Sequence, residues 1–216
     1  GSMKRIKTLV TLFVCLLLAL PLSGCGEKKS YEQQIYAMDT VMTLTAYGSK
    51  AEDGLSSAAG VITSLENMLD PEDEGSTVYA LNHAKGQSVV TEGQIVEMLK
   101  TAQTIYERSG GALDLAIYPL VKAWGFIDGN YTVPSEEEIA GLLGNIDFST
   151  IEITDFADST DSLVTLPSGT MLTFAAIARG SASNYAIAAM RSAGVTSAIV
   201  SLGGNVQTLG QKPDGS

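Results

Sequence analysis

The stretch EGQIVEMLKTAQTIYERSGGALDLAIYPLVKAWGF, from Glu92 to Phe126, decides how the chain is read. Its first half keeps one hydrophobic period. Ile95, Val96, Leu99, Ala102, Ile105 and Tyr106 share a face, which predicts an amphipathic helix over Glu92–Arg108. The second half breaks that period with Ser109-Gly110-Gly111-Ala112-Leu113-Asp114, then Pro119-Leu120 and Trp124-Gly125-Phe126. Paired glycines after a helix permit positive φ and close backbone approach, so exposed amides can face a ligand. Asp114 could accept hydrogen bonds from such a ligand. The plainer reading is a glycine C-cap followed by a turn aspartate.

Working outward, Thr40–Tyr47 alternates apolar and polar residues and is expected to be the first strand of the domain. In Glu52–Leu69, Leu55, Ala58, Ala59, Ile62, Leu65 and Leu69 line one helical face, and an acidic loop, Pro71–Ser76, follows. Ser135 with Glu138 three residues on forms a capping box that opens a short helix to Leu143. Ile151–Thr154 and Leu163–Leu166 read as strands, the second entering a Pro167-Ser168-Gly169 turn. Ala182–Arg191 reads as a helix capped by Gly194, and Ser197–Leu202 as a buried strand. Helices and strands mix without a βαβ rhythm, so the fold class is α+β.

The N-terminus belongs to targeting. Gly1-Ser2 precedes Met3 as an expression scar, Lys4, Arg5 and Lys7 form a basic segment, and Thr8–Leu20 is an apolar run. Leu22-Ser23-Gly24-Cys25 closes it as a lipoprotein cleavage box, and the run is too short to span a membrane. The expected organisation is a signal peptide over 1–24, a tether over 25–34 lipidated at Cys25, and a domain over 35–216. Cleavage would also remove Cys15, leaving no free thiol for disulfide or redox chemistry. The protein is then extracytoplasmic and held at a bacterial membrane by lipid. A net charge of −11 and the absence of a basic cluster in the domain exclude nucleic acid as a partner.

Two more patterns carry possible chemistry. Ala175-Ala176-Ile177-Ala178-Arg179-Gly180 reads as a tight small-residue turn opening a helix, an anion cradle with Arg179 in reach of a phosphate. Leu202-Gly203-Gly204-Asn205 is a strand running into a double-glycine turn. His83, the sole histidine, has no partner at ligand spacing and is expected on a surface loop. No Ser/His/Asp triad or zinc spacing can be assembled.

In order and spacing, these patterns resemble the FAD:protein FMN transferase family, also called ApbE-like flavin transferases, from about Met38 to Ser216. Met38-Asp39-Thr40 stands where that family has Met-Gly-Thr, and Ser76–Asn82 resembles its Ser-x-x-x-x-Leu-Asn segment. Gly110–Phe126 is similar to its Gly-Gly-x-x-Asp…Pro-Leu…Trp-Gly-Phe block, the most specific match. Leu172–Gly180, Leu202–Gly204 and Gly210–Gly215 resemble its later blocks.

The resemblance implies FAD as substrate, Mg²⁺ as cofactor and cleavage of the pyrophosphate between the FMN and AMP halves. FMN would pass to a threonine of a flavin-accepting redox membrane protein. By position, Met38, Ala112, Leu113, Asp114, Thr173 and Arg179 would contact flavin nucleotide, and Ala176 would lend a main-chain oxygen to the metal. The chain departs from the family at Thr173, usually Asp; at Ala175, usually Gly; and at Arg179, usually Lys. The family domain is also expected to run on past Ser216, and the Asp and Thr that hold Mg²⁺ in relatives lie in that continuation. The expectation is therefore the N-terminal part of the domain, as a fragment or a degenerate member. Three other readings stay open: a non-catalytic flavin-binding lipoprotein, an FAD pyrophosphatase releasing FMN and AMP, and a transporter's substrate-binding lipoprotein.

Overall fold

The computed structural model describes residues 29–215, so the signal segment, the cleavage box and Cys25 lie outside the described residues. Within them the fold is α+β, with two antiparallel sheets. The larger runs β1 (Ser30–Ala37), β2 (Thr40–Tyr47), β6 (Ala198–Leu202) and β7 (Asn205–Leu209), in that spatial order. The smaller is ordered β3 (Ser88–Thr91), β5 (Ser162–Thr165), β4 (Glu152–Asp155).

The central strands of the large sheet follow the two-residue period of a half-buried sheet. Met42, Leu44 and Ala46 of β2, with Ala198, Val200 and Leu202 of β6, are all buried. Two long helices complete this core. Helix α1 (Ala51–Leu69) turns Leu55, Ala58, Ile62, Leu65 and Leu69 inward, and α6 (Ala175–Ser192) adds Ala178, Ala182, Ala186, Ile187 and Met190. The two helices approach closely at Gly54, where a Cβ would lie 3.7 Å from Met190 Cα of α6 and 2.4 Å from Cγ2 of Val195, just beyond that helix. Helix α3 (Gly93–Arg108) buries Ile95, Val96, Met98, Leu99 and Ala102. Shorter helices are α2 (Thr77–Asn82), α4 (Tyr118–Ala123) and α5 (Glu136–Leu143), with a 3₁₀ turn at Phe148–Thr150.

Several expectations shift. The first strand is β1, not Thr40–Tyr47, and it takes in Ser30–Gln34 of the expected tether. Its register runs from Ser30 opposite Tyr47 to Ala37 opposite Thr40. As an edge strand it exposes Ser30, Glu32, Gln34 and Tyr36 and fully buries only Ala37, so its largely polar composition reads as a linker. Helix α6 starts at Ala175, seven residues before the expected start at Ala182; Ala175–Gly180 is its opening and not a separate turn. Ile105, expected inside, is 37% exposed, because it lies near the C-terminal end of α3. His83 is the exposed C-terminal cap of α2, stacked on Tyr79.

Candidate functional site

Both hairpins of the large sheet turn at the same end. Ala37 pairs with Thr40 and Leu202 with Asn205, so each loop has two residues, and Met42 opposite Leu202 sets them side by side. Each loop needs positive φ twice, the type I′ geometry that matches strand twist. Gly203 (φ 56°) and Gly204 (φ 92°) adopt it freely, while Met38 (φ 51°) and Asp39 (φ 57°) do so against side-chain sterics. For a residue such as methionine the left-handed conformation costs roughly 1–2 kcal/mol. The Met38 turn is held from outside: Met38 N–H donates to Glu66 Oε1 at 2.7 Å, and Arg179 Nη2 donates to Met38 O at 3.1 Å.

Beside this turn opens a cleft of about 450 Å³. One wall carries Met38 and Asp39, another Glu66, Leu69, Asp70 and Glu72 from the end of α1 and the loop after it. Phe126 and Ile127 close a third side; Thr173, Phe174, Ala175, Ala178 and Arg179 bring in the start of α6. The α6 N-terminus carries no acidic residue in its first turn, and Thr173 Oγ1 accepts from Ala175 N–H at 3.3 Å. A helix N-terminus beside an arginine is a favourable setting for an anion. Arg179 packs over the double-glycine turn, where a Cβ on Gly203 would stand 3.2 Å from its Cδ and Nε.

The strand-like segment before α6 is fixed by buried polar contacts. Asn82 donates to Leu172 O at 3.0 Å and accepts from Leu172 N–H at 2.6 Å, while Thr173 N–H donates to Leu115 O at 2.9 Å. The Ser-x-x-x-x-Leu-Asn segment thus works at a distance. Ser76 caps α2 by accepting from Tyr79 N–H at 2.9 Å, and Asn82 at the helix end sets Thr173 and Phe174 at the cleft.

The Gly-Gly-x-x-Asp stretch plays a different part. Gly110 (φ 64°) and Gly111 (φ 83°) end α3, with Gly111 N–H donating to Tyr106 O at 2.8 Å. Asp114 Oδ1 accepts from Ala116 N–H at 2.8 Å and Oδ2 from Phe148 N–H at 3.2 Å. Of the sequence-predicted site residues, the structure gathers Met38, Thr173 and Arg179 at the cleft; Ala112, Leu113, Asp114 and Ala176 are not among its lining residues. Sequence reasoning missed Glu66, Asp70, Glu72 and Ile127. The acidic run after α1 is visible in the sequence, but the reach of Glu66, within α1, to the Met38 amide is not.

Glu72 at the mouth is tied outward to the Tyr118 hydroxyl and to Lys122 Nζ at 3.0 Å. The Tyr118 hydroxyl, with help from Lys122, holds the Glu72 carboxyl below the usual carboxylate range, while burial and Glu72 push the Tyr118 phenol upward. The described residues contain no group of three or more His, Cys, Asp or Glu side chains able to hold a metal. No described helix is long and apolar enough to cross a membrane.

Two antiparallel sheets with helices packed on them, and a cleft at the hairpin end of the larger one, define the molecule as an α+β protein of a particular build. The ApbE family model matches residues 38–216, and the chain belongs to the ApbE family. It is 24% identical over 213 residues to an FAD:protein FMN transferase of Treponema pallidum, covering 94% of this chain and 58% of that protein. A second FAD:protein FMN transferase, from Klebsiella pneumoniae, is 28% identical over 190 residues, covering 86% and 58%. Among solved structures, the ApbE protein of Thermotoga maritima superposes with a TM-score of 0.77 at 24% identity, covering 85% of this chain and 60% of that one. The apo flavinyl transferase ApbE of Pseudomonas stutzeri gives 0.77 at 23%, covering 88% and 61%. The chain thus spans about three fifths of the length of these relatives.

Proposed function

We propose that this chain forms the nucleotide cleft of a Mg²⁺-dependent FAD:protein FMN transferase, exported and anchored by lipid on Cys25. The observation that carries the reading is the meeting of the α6 N-terminus and Arg179 with the Met38–Asp39 turn in one cleft. The reaction breaks the P–O–P link of FAD, releases AMP and joins the FMN phosphate to a threonine oxygen of the acceptor, whose hydroxyl proton leaves. The chemistry asks chiefly for positioning and for neutralisation of charge on the phosphate oxygens. Arg179 has five N–H donors and gives Met38 O only a share of them, so it can also bind a phosphate oxygen. The amides of the α6 first turn add partial positive charge. Phe126 and Ile127 offer an apolar wall for a ring of the ligand.

Mg²⁺ enters the reading through family resemblance. Among the described residues no group of three or more His, Cys, Asp or Glu side chains could hold the ion. Thr173 and Ala175 do not exclude ligand from the cleft: Ala175 is exposed at a helical position, and the Thr173 hydroxyl caps its amide.

The test is FAD affinity with AMP release and FMN transfer to an acceptor protein, measured on the full-length protein with and without Mg²⁺. Arg179→Ala should weaken FAD binding by roughly ten- to a hundredfold, the cost of a lost hydrogen bond to a charged group. AMP release without FMN on the acceptor would favour the pyrophosphatase; FAD binding without AMP release would favour a storage role. Failure of the wild type to bind FAD would sink the reading.

A further inference from the structure

The two hairpin turns at this end of the large sheet share a backbone geometry and differ in what sustains it. Gly203-Gly204 takes two left-handed residues at no steric cost; Met38-Asp39 does not. The turn residue Met38 lies outside the β1–β2 ladder, and both its peptide groups are claimed by side chains from other elements. Glu66 takes the N–H at 2.7 Å, from 28 residues away, and Arg179 the carbonyl at 3.1 Å. Glu66 is half-buried in the cleft wall. A carboxylate beside a site for a phosphate anion would repel its ligand, so its useful work is toward the protein.

We propose that Glu66 is a positioning residue for this cleft. It pins the Met38 amide, fixes the left-handed turn, and so sets the carbonyl on which the Arg179 guanidinium rests. It acts through the backbone and touches no substrate. The consequence for ligand rests on the proposed function; the pinning of the turn does not.

Two measurements separate these claims in the full-length protein: hydrogen exchange at the Met38 amide, and FAD affinity, for the wild type, Glu66→Gln and Glu66→Met. Gln keeps an acceptor oxygen at the same reach, so both readouts should stay within about threefold of the wild type. Met keeps the length without that oxygen, and Glu66→Ala serves as a second oxygen-free variant. In these the Met38 amide should exchange roughly tenfold faster or more and FAD should bind roughly tenfold more weakly, the loss of one net hydrogen bond. Unchanged exchange at Met38 in the oxygen-free variants would overturn the proposal. So would Glu66→Gln failing as badly as Glu66→Met, since charge and not position would then be the cause. Fast exchange with unchanged FAD affinity would also overturn it, by showing that the turn's position does not matter to the ligand. A wild type that binds no FAD would refute the proposed function, and the exchange comparison would still decide whether Glu66 holds the turn.

Discussion

Asp114 commits both carboxylate oxygens to backbone amides, one two residues on at Ala116 and one 34 residues away at Phe148. Both recipients are buried, so the carboxylate ties the segment after α3 to the 3₁₀ turn. Asp114→Ala should therefore lower stability by about 1.5–3 kcal/mol, the usual worth of hydrogen bonds to a charged group. For a domain of this size that is a fall in Tm of roughly 3–12 °C. Thermal unfolding checks it, and FAD affinity of the same variant, measured well below its Tm, tests the family-implied flavin contact. An unchanged Tm with weakened FAD binding would make Asp114 a ligand contact and not a brace. The sequence alone could not show the brace: a Gly-Gly-x-x-Asp pattern suits a helix cap as well as a ligand loop, and the partner Phe148 is remote in the chain. Glu66 was illegible for the same reason, since its partner is a backbone amide across the fold.

At the level of elements, legibility followed period and punctuation. Helix α3 kept its period and was bounded correctly by Gly110, and Ser135 capped α5 by accepting from Glu138 N–H at 3.2 Å. Strand β1 was lost because an edge strand has little apolar surface to declare, and the start of α6 because Ala175–Gly180, mostly small residues, shows no clear face. The Trp-Gly-Phe segment was seen, and the structure explains its middle residue. Gly125 has φ 76°, and a Cβ there would lie 2.0 Å from Asn130 O, a backbone atom that can give way only if its chain segment moves. Gly125→Ala should shift the Asn130–Tyr131 backbone, costing about 1–3 kcal/mol for strain at a special φ. It should also displace Phe126, which is 61% exposed at the cleft wall and stacks near Trp124 and Tyr131. The check is Tm with FAD affinity: both should fall, whereas a Tm loss alone would show that Phe126 does not serve the cleft.

For the whole molecule the governing fact is an excess of acid, with a net charge of −11 and a pI near 4.4. Among the described residues four carboxyls are held below their ordinary range: Glu72 by Tyr118 and Lys122, Asp128 by Asn130, Asp147 by Ser149, and Asp155 by Lys100 and then Ser162. In each case the folded chain gives up its proton more readily than the unfolded chain. Their contribution to stability is therefore complete above the ordinary carboxylate values, about pH 4, and is lost as pH falls through the lower folded values. Self-repulsion of the net negative charge works the other way only above the pI; below it, growing positive charge destabilises as well. Tm should thus vary little between about pH 8 and 5 and drop below about pH 4. Lys100 tests the linkage, because its ammonium lies 2.8 Å from Asp155 and joins α3 to β4. Lys100→Met should melt slightly below the wild type at neutral pH, the pair being exposed. As Asp155 takes up a proton the two Tm curves should converge, because the ion pair is then absent from both proteins. A gap of constant size down to pH 2 would mean that Lys100 acts through packing of its methylene stem and that Asp155 carries no proton linkage.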